Sequence, residues 1–241
     1  MTTTTTSPTS SGSAPRPAER APRPAARLTE AGATGVGAFF VAALLTGFGT
    51  PGYSTLTEAV SALAAKDALW APIMIGGFLL LAAGLAATGL ALWRLLPVRA
   101  GRAGAVLVLV VSALMATAGL ARQDCSDQRA SCIDHGEAVG ASTSYWVHQY
   151  ASLLGFVLLV VALFLLARGI RRTGTLPQLV RPARLVAWLS LLLTVLVVVS
   201  PPPVQAAYGL VQRVFLLVLL GWPVAVALLH QRRLAPTPSP R

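Results

Sequence analysis

Residues 70–93 read WAPIMIGGFLLLAAGLAATGLALW, twenty-four positions without a charged side chain. A helix rises about 1.5 Å per residue, and about 20 mostly apolar residues cross a hydrocarbon core of about 30 Å. This stretch is long enough and dry enough to span a bilayer. Five more segments qualify on either side of it: Ala31–Thr50, Gly104–Ala121, Trp146–Ala167, Leu185–Ser200 and Ala206–His230. The sequence predicts an all-α fold, an integral membrane bundle of six transmembrane helices.

The composition leads to the same class. Of 241 residues, 55% are hydrophobic and 11% are charged, against about 25% charged in soluble domains. So little polar surface cannot cover a water-soluble globule, and apolar blocks this long exclude disorder for most of the chain. The net charge is +11. The arginines sit between apolar blocks and not on one basic face, so nucleic acid is not an expected partner; membrane lipids are. Residues 1–30 make a Thr/Pro/Arg-rich tail, expected to be disordered and cytoplasmic. Residues 31–230 form the six-span domain, and 231–241 a second basic tail. No small-residue cleavage site closes the first apolar block, so it is expected to stay as a span rather than leave as a signal peptide.

Orientation follows from the arginines. Fifteen of the basic residues lie in the two tails and in the links between spans two and three and spans four and five. The opposite links hold only Lys66, Arg122 and Arg129, together with Glu58, Asp67, Asp124, Asp127, Asp134 and Glu137. Cytoplasmic loops carry the Lys/Arg excess, so both termini are expected in the cytoplasm. Arginine outnumbers lysine 18 to 1 in a chain rich in Ala, Val, Gly and Pro. That bias fits a GC-rich bacterial genome, which makes a bacterial plasma membrane the expected location. The two cysteines, Cys125 and Cys132, share one outer loop. An oxidising outer face favours a disulfide between them, with a metal pair or two free thiols as alternatives.

The polar residues of the outer side carry what functional signal there is. Residues 51–70 read PGYSTLTEAVSALAAKDALW, in which Thr55 and Glu58 have capping-box spacing. Leu56, Ala59, Val60, Leu63 and Ala64 then repeat at helical spacing, which predicts a short amphipathic helix on the outer membrane surface. Glu58 either caps that helix or turns inward. In the next outer loop, Asp124, Asp127, Asp134, His135, Glu137 and His148 fall within 25 residues. Such residues can hold a metal or move protons, but their spacing fits no ligand motif, and ordinary loop solvation accounts for most of them. No metal site is expected. His148 opens an apolar span, at a depth where a polar ring needs a partner.

Arg213 is the most informative single residue. It lies about seven residues into the last predicted span, about 10 Å below its start. Charges there face the bundle interior or a partner, or snorkel back to the interface. Glu58 and Asp124 are the expected partners, with Gln212, Tyr208 and Gln205 adding polar capacity nearby. In the second span Gly77, Gly84 and Ala91, with Ala87 between, allow close helix approach. Packing within the bundle is the expected use of that stripe and a dimer face the alternative; oligomeric state stays open.

Several segments together resemble a known family. PGYSTLTEAVSAL at 51–63, GGFLLLAAGLAATGLAL at 76–92 and the Asp124-Cys125 pair are similar to the bacterial domain of unknown function 998 family. So are WVHQYASLLGF at 146–156 and GLVQRVFLLVLLGW at 209–222. The resemblance covers nearly all of residues 33–228 and implies the same compact multi-pass architecture. It implies outer polar positions at Tyr53, Ser61, Asp124, His148 and Arg213. Where relatives place a proline beside the acid after the third span, this chain has Cys125. The family name assigns no reaction.

Three functional classes follow. In the first, an outer pocket of Tyr53, Glu58, Ser61, Asp124, His148, Gln212 and Arg213 binds a lipid or small molecule. The second is a small solute or proton-coupled carrier, against which spans three and five offer only Ser112, Thr117, Ser190 and Thr194 for a path. The third is an outer-face hydrolase or transferase, with His148 as base or metal ligand, Asp124 as its carboxylate partner and Arg213 as anion stabiliser. No cofactor is expected. His148 and His230 stand at opposite ends of the membrane, about 30 Å apart, and cannot share a haem. Phosphate-loop, dinucleotide, HExxH and GxSxG motifs are absent.

Overall fold

The computed structural model describes residues 23–125 and 141–234, and among them it contains helices and no strands. Six helices are long and apolar enough to cross a membrane. They are α1 (Arg23–Gly49), α2 (Ala71–Leu95), α3 (Arg99–Leu120), α4 (Thr143–Thr173), α5 (Val180–Val199) and α6 (Tyr208–Leu234). The protein is a multi-pass, all-helical membrane protein. Most of the expected N-terminal tail falls outside the described residues, as do Asp127, Arg129, Cys132, Asp134, His135 and Glu137. The expected Cys125–Cys132 bridge therefore has one partner outside them.

At the arginine-rich end the helices run past the predicted bounds, because helical hydrogen bonding does not stop where the apolar run does, while at the other end most stop one or two residues inside them. α1 starts at Arg23, ahead of the expected Ala31, and Thr29 Oγ1 donates to Ala25 O at 2.9 Å within the added turns. α4 reaches Thr173, where Gly174 takes φ +64° and ends the helix. That left-handed cap suits a residue without Cβ. α5 stops at Ser200, followed by Pro201, Pro202 and Pro203, which cannot continue it as donors. Pro223 sits inside a continuous α6.

Packing follows chain order. α1 with α2, α2 with α3, and α3 with α4 share the most extensive contacts, while α6 lies across α1, α2 and α5. α5 is the least buried of the six. Small residues decide the tightest crossing: a Cβ on Gly84 would stand 2.9 Å from Gly35 Cα and 3.0 Å from Gly32 O. The small-residue stripe of α2 is thus spent against α1 inside one chain, as interhelical packing in lipid requires. The core is closed by Phe39 edge-on to Phe78 at 5.2 Å and Phe156 edge-on to Phe215 at 4.9 Å.

One end of the bundle carries the loop 50–70, the start of α4 and the 200–207 link. The other carries the 96–98 link, the 174–179 connector and the end of α6. The arginines separate the same way. The first end is arginine-poor and the second arginine-rich.

Candidate polar site at the arginine-poor end

The loop 51–70 is not the amphipathic surface helix its spacing predicts. Val60–Ala64 form a single 3-10 segment, and Ala59, Val60, Ala62, Leu63, Ala64 and Ala65 are all buried. The apolar positions were legible, but helical spacing does not say whether an apolar face meets lipid or protein. Here it meets α1, α2 and α6, so the loop plugs the end of the bundle. The expected Thr55–Glu58 helix cap is not formed: the 3-10 segment starts after Ala59 without a side-chain cap, and Glu58 closes the preceding turn instead. Ser54 N donates to Glu58 Oε1 at 2.8 Å, and Thr57 N donates to Ser54 Oγ at 3.3 Å. Glu58 is buried at 3% exposure.

The start of α6 clamps the first half of this loop. Leu210 N donates to Leu56 O at 3.1 Å, and buried Gln212 accepts the Val60 N–H at 2.7 Å. Arg213, half-buried, donates through Nη1 to Thr55 O at 2.8 Å, Glu58 O at 3.1 Å and Gly209 O at 2.8 Å. Its Nη2 donates to Tyr53 Oη at 2.5 Å, and the guanidinium lies 5.7 Å from the Tyr53 ring centroid. Tyr53 Oη in turn donates to Ala59 O at 3.0 Å. The backbones are close enough that a Cβ on Gly209 would stand 2.7 Å from Thr55 O.

This corrects the expected partners of Arg213. Glu58 meets it through its main-chain carbonyl, and Asp124 is engaged elsewhere. The hydrogen bonds of the guanidinium all go to neutral oxygens. Of its five N–H groups, those on Nη1 and one on Nη2 are used, and Nε–H and the second Nη2–H have no partner among the described residues.

Asp124 anchors the second half of the loop. Lys66 Nζ stands 2.6 Å from Asp124 Oδ1, Ser142 Oγ donates to Oδ1 at 2.6 Å, and Ser142 N donates to Oδ2 at 2.8 Å. The Lys66 hydrogen bond, then those from Ser142, hold the carboxyl down to about 2. Arg122 Nε and Nη2 donate to Ala64 O and Ala65 O at 3.0 and 2.7 Å, and Lys66 N donates to Gln123 O at 2.9 Å. Neither Lys66 nor Ser142 was singled out from the sequence. A signal existed for both: Lys66 is the one lysine of the chain, on the side holding most of the acids. Ser142 precedes an apolar span and caps it, accepting from Tyr145 N.

His148 stands apart from both clusters. Its Nδ1 lies 2.7 Å from Ala118 O and 3.0 Å from Ala121 O. Two carbonyl acceptors make Nδ1 the protonated nitrogen, and the ring closes the end of α3 while meeting Phe78 edge-on at 6.4 Å. The dyad of His148 and Asp124 drawn for a hydrolase is not assembled, since each is held by other groups. Ser61 is half-buried in the 3-10 segment, outside the hydrogen bonds of Arg213. Among the described residues, no three His, Cys, Asp or Glu side chains gather as a metal site would require. The structure thus brings Tyr53, Glu58, Gln212 and Arg213 together and leaves Asp124 and His148 in separate settings.

A family model described as "Protein of unknown function (DUF998)" matches residues 33–229. The chain belongs to that family. The match begins inside α1 and ends one residue before His230, so it takes in α2 to α5 whole and most of α1 and α6, and its description names no activity. No curated protein and no solved structure matches the chain.

Proposed function

We propose that the protein is an accessory membrane protein that binds a lipid headgroup or small anion beside Arg213, on the outer face of a bacterial plasma membrane. In this reading both termini are cytoplasmic, as the arginine distribution favours, and Cys125 is bridged to Cys132 in the outer loop. One observation supports the binding role above the others. The Arg213 guanidinium gives its hydrogen bonds to neutral oxygens and keeps two N–H groups without a partner among the described residues. A cation held by neutral carbonyls retains its full charge near low-dielectric surroundings, where an anion is attracted far more strongly than in water. Tyr53, Glu58 and Gln212 hold the loop and helix around it.

The test is native mass spectrometry of the detergent-purified chain, wild type beside Arg213→Lys. Lysine keeps the charge but lacks the planar fork that pairs with phosphate or carboxylate. A lipid or anion retained by the wild type should be bound about tenfold more weakly by the variant, a difference of about 1.4 kcal/mol. Equal retention by both proteins, or no adduct on either, counts against the site.

A further inference from the structure

We propose a second binding site at the opposite end of the bundle, where the groove beside the last turn of α6 takes an acidic phospholipid of the arginine-rich leaflet. The groove, about 370 Å3, is lined by Leu176, Gln178, Leu179, Leu229, Arg232 and Arg233. Its composition is that of a lipid site cut at the interface. Three leucines supply apolar surface suited to acyl chain and glycerol, and two adjacent arginines with a glutamine amide supply donors for a phosphate.

The walls are fixed before any ligand arrives. The connector between α4 and α5 turns at Gly174, passes through a 3-10 turn at Pro177–Leu179, and is tied to α6 by Thr175 Oγ1 and His230 Nε2 at 2.7 Å. His230 is buried at 2% exposure, one residue removed from the arginine pair. A hydrogen bond from a buried ring to the connector sets the distance between the two sides of the groove.

Among the described residues the two arginines have no acidic partner. Arg232 and Arg233 are exposed in the last helical turn, where the helix dipole favours cations without neutralising them. Glu30 is the one acidic residue among the described residues at this end, and it sits on α1. Basic pockets between transmembrane helices on the cytoplasmic side suit acidic headgroups, each arginine contributing about a fivefold gain in affinity. A groove with both an apolar wall and two cations selects a lipid over a soluble phosphate, because only the lipid fills both parts.

The experiment uses the purified full chain in neutral detergent, titrated with phosphatidylglycerol or phosphatidylcholine and read by native mass spectrometry. The wild type should prefer phosphatidylglycerol, and R232Q/R233Q should weaken that binding by roughly 25-fold. R171Q/R172Q removes the same charge from the last turn of α4, whose arginines do not line the groove, and should cost less than about threefold. Leu229→Trp, which fills the apolar wall and keeps both arginines, should also lose the lipid. Equal losses in the two arginine pairs would show a diffuse basic surface and overturn the proposal. So would undiminished binding in R232Q/R233Q or Leu229→Trp, no preference between the lipids, or inorganic phosphate competing as well as the lipid. Arg213→Lys should leave this binding unchanged, so failure here and failure of the outer site are separate results.

Discussion

Two clusters hold the same loop, and they hold it by different means. The first half of loop 51–70 is tied to α6 by Arg213 and Gln212, whose partners are mainly main-chain atoms, from buried at Gln212 to part-buried and exposed at Arg213. The second half is tied to the ends of α3 and α4 by Lys66, Asp124 and Ser142, with the Lys66 and Asp124 side chains 45% and 32% exposed. Charge is present in both. In the first it meets neutral carbonyls, with Thr55 O at the exposed edge and Glu58 O and Gly209 O part-buried, beside a buried amide bond from Val60 to Gln212 that water does not replace. In the second it meets an opposite charge under water, where solvent replaces whatever is removed. The lesson is that the formal ion pair is the weaker of the two ties.

The largest expected effect tests the first cluster directly. Arg213→Met keeps the aliphatic stem and removes donors to Thr55 O, Glu58 O and Tyr53 Oη, and it should destabilise the protein by about 3 kcal/mol. Reversible unfolding in mixed micelles measures this. A loss below about 1 kcal/mol would put Arg213 on the same footing as a surface charge and break the comparison.

A smaller effect is expected from Gln212→Leu, which fills the same space but leaves the buried Val60 N–H without its acceptor. The cost should be about 1–2 kcal/mol, the desolvation of one amide. Hydrogen exchange at Val60 sharpens the test, since that amide should lose protection ahead of the α1 and α2 amides.

The smallest effect belongs to Asp124→Asn, at under about 1 kcal/mol near neutral pH. Its signature is its pH dependence. Folding lowers the Asp124 pKa from 3.8 to about 2, so the contribution is fully present above the ordinary value and is lost as pH falls through the folded one. Wild type should therefore lose its advantage over the variant between about pH 4 and pH 2. A difference that persists unchanged to the acid side of that window would contradict the Lys66–Ser142 account of Asp124.

How much of this was legible in the sequence divides along the same line. The six spans were, because an apolar run such as 70–93 allows no other stable fate in a chain this poor in charge. Arg213 was legible as a charge inside a span. Its partners were not, since Thr55 O and Glu58 O are main-chain atoms that no residue letter marks. Sequence reasoning therefore sent Arg213 to the nearest carboxylates, and the structure gives it carbonyls. The plug at 59–65 was misread for a related reason. A run of Ala, Val and Leu at helical spacing reports an apolar face without saying what covers it, and a loop closed by a distant helix can bury that face with one 3-10 turn. Lys66 with Asp124 needed no such distant knowledge and could have been drawn from charge alone.

The bond from Val60 to Gln212 joins residues 152 positions apart, and that from Arg213 to Tyr53 spans 160. At a synthesis rate of about 5–20 residues per second, loop 51–70 emerges roughly 8–30 s before its clamp does. For that interval α1 to α4 can insert and pack, but the entrance of the bundle stays open. The last helix is thus the closing step of biogenesis as well as a span, and a chain cut short before Gly209 would reach the membrane with five helices and an unsealed end.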